Sequence, residues 1–274
     1  MNANHKLSRV ALVTGAGRRV GRAIAIGLAD SGYRIGAHYN GSVAGAEETL
    51  AIIEERGGDG TLLKRDLSQV ESAGQLVLDA RAALGPVNVL INSASSFAPD
   101  SIETLTPESW QELVNVNLAA PVFLMQEFAR QNPSPPDAAI INMLDTQMTS
   151  AAPERFTYFC SKFGLDGATR LAAFDLARKG VTVNAIAPGL ILPSEQTEAE
   201  FLHRQELTPM RQGLGAADIV DAVRYLIGAR HVTGHTLVVD SGQRLMGFGN
   251  SSFGLEEAAD PVKGNEVMSN RNRD

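Results

Sequence analysis

Cysteine is nearly absent from this chain. Its one thiol, Cys160, has no intrachain partner. The fold therefore cannot depend on a disulfide, and a reducing, cytoplasmic setting is expected. Aromatic residues are sparse at 5%. Residues 1–9 contain no long apolar run and no stretch reaches the roughly 18 apolar residues of a membrane span, so neither a secretory leader nor a membrane span is expected. Basic residues are outnumbered, 24 Lys and Arg against 31 Asp and Glu, and the net charge is −7. Without a basic stripe, nucleic acid is not an expected partner. The five histidines show no pair at metal-ligand spacing, and no catalytic metal is expected.

What is present is ordinary globular composition, 44% apolar and 20% charged over 274 residues. That length is near the upper end of what one hydrophobic core supports. From residue 9 the chain alternates β-rich runs with longer helical patterns. Strands are predicted at 10–13, 34–39, 60–66, 87–92, 138–144, 181–187 and 236–240. Helices are predicted at 20–31, 43–56, 69–84, 107–130, 156–179 and 216–227. Segment 190–200 reads as irregular and acidic, and the polar residues from 250 to 274 read as a mobile or docking tail. Strands separated by helical crossovers predict a single-domain α/β fold over about residues 8–247. Its core is a doubly wound, Rossmann-type parallel sheet of about seven strands with helices on both faces.

The first strand runs into Thr14-Gly15-Ala16-Gly17-Arg18-Arg19-Val20-Gly21, which opens a helix. Glycines let a pyrophosphate approach the backbone, and the helix start offers free N–H groups. The second strand ends His38-Tyr39-Asn40-Gly41-Ser42 with no carboxylate to take a ribose 2′-hydroxyl. Arg18 in the turn could pair with a 2′-phosphate, so NADP is expected in preference to NAD. His38 is expected to be structural or to lie on the adenosine side.

Tyr158 and Lys162 stand four residues apart in the helix predicted after the fifth strand, on one helical face. A neighbouring ammonium and an oxidised nicotinamide both favour the phenolate and are expected to bring the tyrosine toward the working pH range. Asp145 lies at the carboxyl edge of the fifth strand, Asn117 on the preceding helix, and Pro188-Gly189 after the sixth strand, where ligands sit in open α/β sheets. Cys160, between Tyr158 and Lys162, faces another side of the helix and is expected to be a small buried hydrophobe.

Taken in order, the glycine turn, Asn92-Ser93-Ala94-Ser95, Tyr158-x-x-x-Lys162 and Pro188-Gly189 resemble the short-chain dehydrogenase/reductase family. The resemblance implies that Tyr158 is the acid–base residue and that Lys162 holds the nicotinamide ribose. It implies that Asn117 anchors a water leading from Lys162 to solvent, and that Asp66 and Leu67 face the adenine. Leu190 would continue the cofactor wall.

Three departures narrow the resemblance. Arg19 replaces the third motif glycine, Ser95 the glycine after Asn-x-Ala, and Asp145 the usual catalytic serine. An ionised Asp145 would repel a developing alkoxide, whereas reduction of a ring C=N, which needs a proton at nitrogen, suits a carboxyl–tyrosine relay. With Phe97, these departures resemble the pteridine reductases and bacterial dihydromonapterin reductases. That resemblance implies that Phe97 stacks on the pterin, that Ser95 and Arg19 lie beside pterin and cofactor phosphates, and that the enzyme is a homotetramer packed through helices 107–130 and 156–179. The expected activity is NADPH-dependent reduction of a dihydropterin or dihydrofolate-like ring. The alternatives are an NADPH-dependent reductase of an oxoacyl, sugar or xenobiotic ketone, and a catalytically weak NADP-binding sensor.

Overall fold

The computed structural model describes residues 9–131, 137–149, 154–193 and 197–250. Seven strands form one parallel sheet: β1 (Arg9–Val13), β2 (Tyr33–Tyr39), β3 (Gly60–Lys64), β4 (Val87–Asn92), β5 (Ala139–Met143), β6 (Thr182–Pro188) and β7 (Thr236–Val239). Their order is β3-β2-β1-β4-β5-β6-β7. The order reverses between β1 and β4, which opens a crevice at the carboxyl edge there. Along β1 the pleat sends Ala11 and Val13 into one core and Val10 and Leu12 into the other. A strand buried on both faces has to be apolar throughout, as this one is.

Helices α1 (Arg19–Asp30), α2 (Val43–Glu55) and α8 (Ala216–Gly228) cover the first face through Ile24, Leu28, Ile53, Ile219 and Val223. Helices α3 (Gln75–Leu84), α5 (Ala120–Ala129) and α6 (Phe156–Leu176) cover the second through Leu76, Leu124, Phe128 and Leu176. Each side chain of this kind contributes about 1.5–3 kcal/mol when fully buried.

Three predicted segments differ from the structure. The helix expected over 107–130 is α4 (Pro107–Val114), a π turn (Asn115–Ala119) and then α5. Pro121 has no N–H for the carbonyl of Asn117, and the Ala120 N–H reaches back five residues to Asn115 instead. The helix expected over 69–84 begins as a short 3-10 turn, Val70–Ser72, and becomes α3 only after Gly74. Segment 190–200 is not wholly irregular, because α7 (Glu198–Glu206) starts within it. Its signal was present in Thr197-x-x-Glu200, whose side chains and backbone N–H groups bond reciprocally as a capping box. The expected tail, 250–274, lies outside the described residues from 251 onward. No helix among the described residues is long and apolar enough to cross a membrane.

Candidate active site

A cleft of about 1500 Å³ runs along the carboxyl edge of the sheet. Single small-ligand pockets take roughly 300–1,000 Å³, so this one has room for a dinucleotide and a second molecule. Every site residue expected from the sequence lines it except Asn92 and Asn117. Those two lie behind its wall, where they hold structure. Asn92 donates to Asn142 Oδ1 at 2.8 Å in the core. Asn117 is fully buried and accepts from Ser96 N–H at 2.8 Å and Ser95 Oγ at 3.0 Å, while its amide donates to the Ser96 carbonyl. Its side chain therefore clamps the loop that carries Ser95 and Phe97.

The glycine turn forms the cofactor end. A Cβ on Gly21 would overlap the carbonyl oxygen of Gly15, and one on Gly15, at φ +70°, would touch the Ala94 backbone at 3.0 Å. Glycine is required there by close backbone approach. Thr14 joins the turn to β4: its hydroxyl accepts from Ser93 N–H and Ala94 N–H, both at 2.9 Å. The imidazole of His38 sits beneath the turn. Its Nδ1 accepts from Gly15 N–H at 3.1 Å, and its Nε2 donates to the Arg65 carbonyl at 3.0 Å. Burial lowers its pKa to about 4, so the ring is neutral and acts as a fixed hydrogen-bond post.

The first turn of α1 has neither a side-chain cap nor an acid, which leaves its N–H groups open to an anion. Arg18 stands at that start, exposed, and its guanidinium makes no hydrogen bond or ion pair among the described residues. These features fit a dinucleotide phosphate. Arg19 takes φ +53° at the position where the family pattern has glycine. Its guanidinium bridges away from the turn, donating to the carbonyls of Pro193 at 2.7 Å and Leu192 at 3.4 Å. It thus ties the glycine turn to the segment after β6.

At the other end, α6 carries Tyr158 and Lys162 into the cleft, both buried. Tyr158 donates to Asp145 Oδ2 at 3.0 Å, and Asp145 Oδ1 accepts from Gln147 N–H at 2.8 Å. Lys162 donates to the Met143 carbonyl at 2.9 Å, with Nζ 5.5 Å from the centre of the Tyr158 ring. Phe97 meets Tyr158 edge-on at 5.1 Å, and the Arg155 guanidinium covers Phe97 at 4.5 Å. The backbone on either side of Arg155 pairs with that of Asp100, whose Oδ1 accepts from Thr157 N–H at 3.0 Å.

In the chain by itself Tyr158 is raised: burial first, and then the Asp145 carboxylate, push it well above 10. Burial also raises Asp145, against the opposing pull of Gln147 N–H, Tyr158, Lys162 and Arg155. Lys162 is lowered to about 8 by burial, with Asp145 partly restoring it. The chain thus presents a neutral phenol bonded to a carboxyl that holds its proton more tightly than usual. Cys160, expected to be buried, is half-buried, and burial pushes its thiol up. Among the described residues no three His, Cys, Asp or Glu are grouped to hold a metal.

The model of the short chain dehydrogenase family matches residues 9–204. The chain belongs to that family. It is an oxidoreductase by that membership, on a sheet of the doubly wound kind expected. A curated relative, the 3-oxoacyl-[acyl-carrier-protein] reductase FabG of Staphylococcus aureus (strain Mu50 / ATCC 700699), is 31% identical over 86% of this chain and 98% of its own length. Two solved structures are also similar. One is FolM alternative dihydrofolate reductase 1 from Brucella canis, complexed with NADP, at 33% identity and TM-score 0.82, covering 86% of this chain and 94% of that one. The other is its Brucella suis counterpart in complex with NADP, at 34% identity and TM-score 0.81, covering 86% and 95%.

Among the cleft residues that sequence reasoning missed are four with ionisable side chains. Arg155 carried no signal, since only its packing on Phe97 brings it in. Glu200, His203 and Arg204 also line the cleft, and recognition of the α7 capping box would have placed them on a helix.

Proposed function

We propose that the protein is an NADPH-dependent reductase of a pterin-like ring, acting on a dihydropterin or dihydrofolate-like C=N bond. The observation that carries this is the 3.0 Å hydrogen bond from Tyr158 to Asp145, with Phe97 beside it as an aromatic platform. A carboxyl at that position is poorly matched to a developing alkoxide and well matched to a ring nitrogen that must gain a proton. The NADP complexes of the two FolM structures support the cofactor, and their name supports the substrate class.

The glycine turn and the start of α1 would hold the pyrophosphate, and Arg18, with the acid-free edge of Tyr39, Asn40 and Ser42, would take the 2′-phosphate. Asp66, Leu67, Ser93, Ala94, Pro188, Gly189 and Leu190 would line the remaining wall. When bound, the reduced nicotinamide supplies a hydride to the ring carbon. With Asp145 protonated the hydrogen bond between the two side chains would reverse, so that Tyr158 would give its phenolic proton to the ring nitrogen while the Asp145 proton passes to the Tyr158 oxygen. Lys162, with donors beyond the one spent on Met143, orients the nicotinamide ribose. Phe97 and Ser95 position the pterin. Arg19 holds the wall of Leu192 and Pro193 over the site.

The same reading proposes a homotetramer. Helices α4 to α6 leave Trp110, Phe123, Phe163, Leu171 and Phe174 exposed, Phe174 by 89%, and apolar side chains in such number are the usual mark of an interface. It also places the enzyme in the cytoplasm, where a free thiol such as Cys160 stays reduced. A ketone reductase is the second reading, favoured by the 31% identity to the 3-oxoacyl reductase.

The test follows oxidation of NADPH, and separately NADH, with dihydrobiopterin, dihydromonapterin and dihydrofolate beside a panel of ketones and a 3-oxoacyl thioester. Pterin turnover with NADPH preferred is expected, lowered about 10²–10⁴-fold in Tyr158→Phe. Turnover of ketones alone would overturn the pterin reading.

A further inference from the structure

Two guanidinium groups line the cleft with no ion pair to a carboxylate among the described residues. Arg155 enters from the residue before α6, anchored through its backbone by Asp100. Its side chain lies on Phe97, and its one hydrogen bond among the described residues is a long 3.4 Å donation to Gln147 Oε1. Arg204 enters from the opposite wall, on α7. Its Nε is buried with no protein partner, and among the described residues its guanidinium makes no hydrogen bond or ion pair.

Two acids of the cleft, Glu200 and Asp145, are bonded to other groups. Glu200, one helical turn before Arg204, accepts from the N–H and the hydroxyl of Thr197, both at 2.8 Å. Asp145 is bonded to Tyr158 and Gln147. The two arginines also oppose each other: besides burial, the charge of Arg155 weakens the hold of Arg204 on its proton. A buried charged donor left unmatched is unfavourable, and a second like charge makes it more so. One anion between them would relieve both at once.

We propose that Arg155 and Arg204 form a subsite for an anionic group, a carboxylate or a phosphate, carried by the substrate on the side of the ring away from the proton donor. The placement follows from the packing, since a ring that meets Tyr158 and lies along Phe97 brings its far substituent to the guanidinium already seated on Phe97. The proposal rests on the ring-reductase reading for the part of the substrate that reacts, and adds what the rest of it must carry. It separates an anion-bearing dihydropterin, such as one with a benzoylglutamate tail, from a neutral one.

The test begins with binding, so that it does not depend on turnover. The NADP-loaded protein is titrated calorimetrically with benzoylglutamate, phenyl phosphate and neutral benzamide. At least one of the two anions should bind more tightly than benzamide, and the tighter of the two identifies the source of the charge. Arg204→Met should weaken that anion about tenfold or more, the scale of one charge-assisted hydrogen bond, with partial recovery in Arg204→Lys. The KM of dihydrofolate relative to dihydrobiopterin should rise by a similar factor in Arg204→Met. Equal binding of anions and benzamide, or anion affinity unchanged in both Arg204→Met and Arg155→Met, would overturn the proposal. If anion affinity depends on Arg204 while no pterin is reduced, the ring reading fails and the anion subsite stands.

Discussion

Replacing Lys162 by methionine is expected to stabilise the folded protein while removing its activity, and the size of the effect should depend on pH. Lys162 is 3% exposed, and burial lowers its pKa from 10.5 to about 8. A lowered folded-state pKa weakens the fold wherever the unfolded chain carries the ammonium. The penalty is absent above about 10.5, grows as pH falls, and is complete below about 8. At about 1.36 kcal/mol per pKa unit it amounts to about 3 kcal/mol near pH 6.5 and about 1.5 kcal/mol near pH 9.5. Methionine fills similar volume but loses the 2.9 Å donation to the Met143 carbonyl, which offsets about 1 kcal/mol at either pH. The stability difference between variant and wild type should therefore narrow by about 2 kcal/mol between the two conditions, whatever methionine does to the packing. Urea unfolding of both proteins near pH 6.5 and pH 9.5 measures that change directly. A difference that is the same at both pH values would refute the claim that Lys162 is held at the site against its own desolvation.

Two further outcomes follow from the geometry. Because Asp145 holds its proton above the ordinary carboxylate range, reductase kcat should fall as pH rises through that raised value; Asp145→Ser should remove this limb from the pH–rate profile and lower pterin turnover, and an unchanged profile would show that Asp145 lies outside the relay. Gly21→Ala drives a methyl group into the Gly15 carbonyl, so NADPH affinity should drop about tenfold or more as the turn opens; titration of NADPH fluorescence measures this, and wild-type affinity would show that the turn yields without loss.

The parts of this protein legible in its sequence are those governed by neighbours along the chain. Alternating apolar runs and helical spacings marked all seven strands, because period and burial on both faces are written locally in stretches such as Val10 to Val13. The glycine turn, the four-residue step from Tyr158 to Lys162, and the carboxylate at Asp145 were visible for the same reason. Local signals were also available where the reading fell short: Pro121 accounts for the break in the helix after Pro107, and Thr197 with Glu200 marks the start of α7. Other features depended on residues far apart in the chain. The contact of Tyr158 with Asp145, the covering of Phe97 by Arg155, and the approach of Arg204 from a separate helix exist only because the sheet brings their carriers to one edge. The direction of the tyrosine shift was likewise decided by tertiary structure. Sequence spacing placed an ammonium beside a phenol, but in the chain by itself the shift follows the burial of the ring and the Asp145 carboxylate, which only the fold sets beside it.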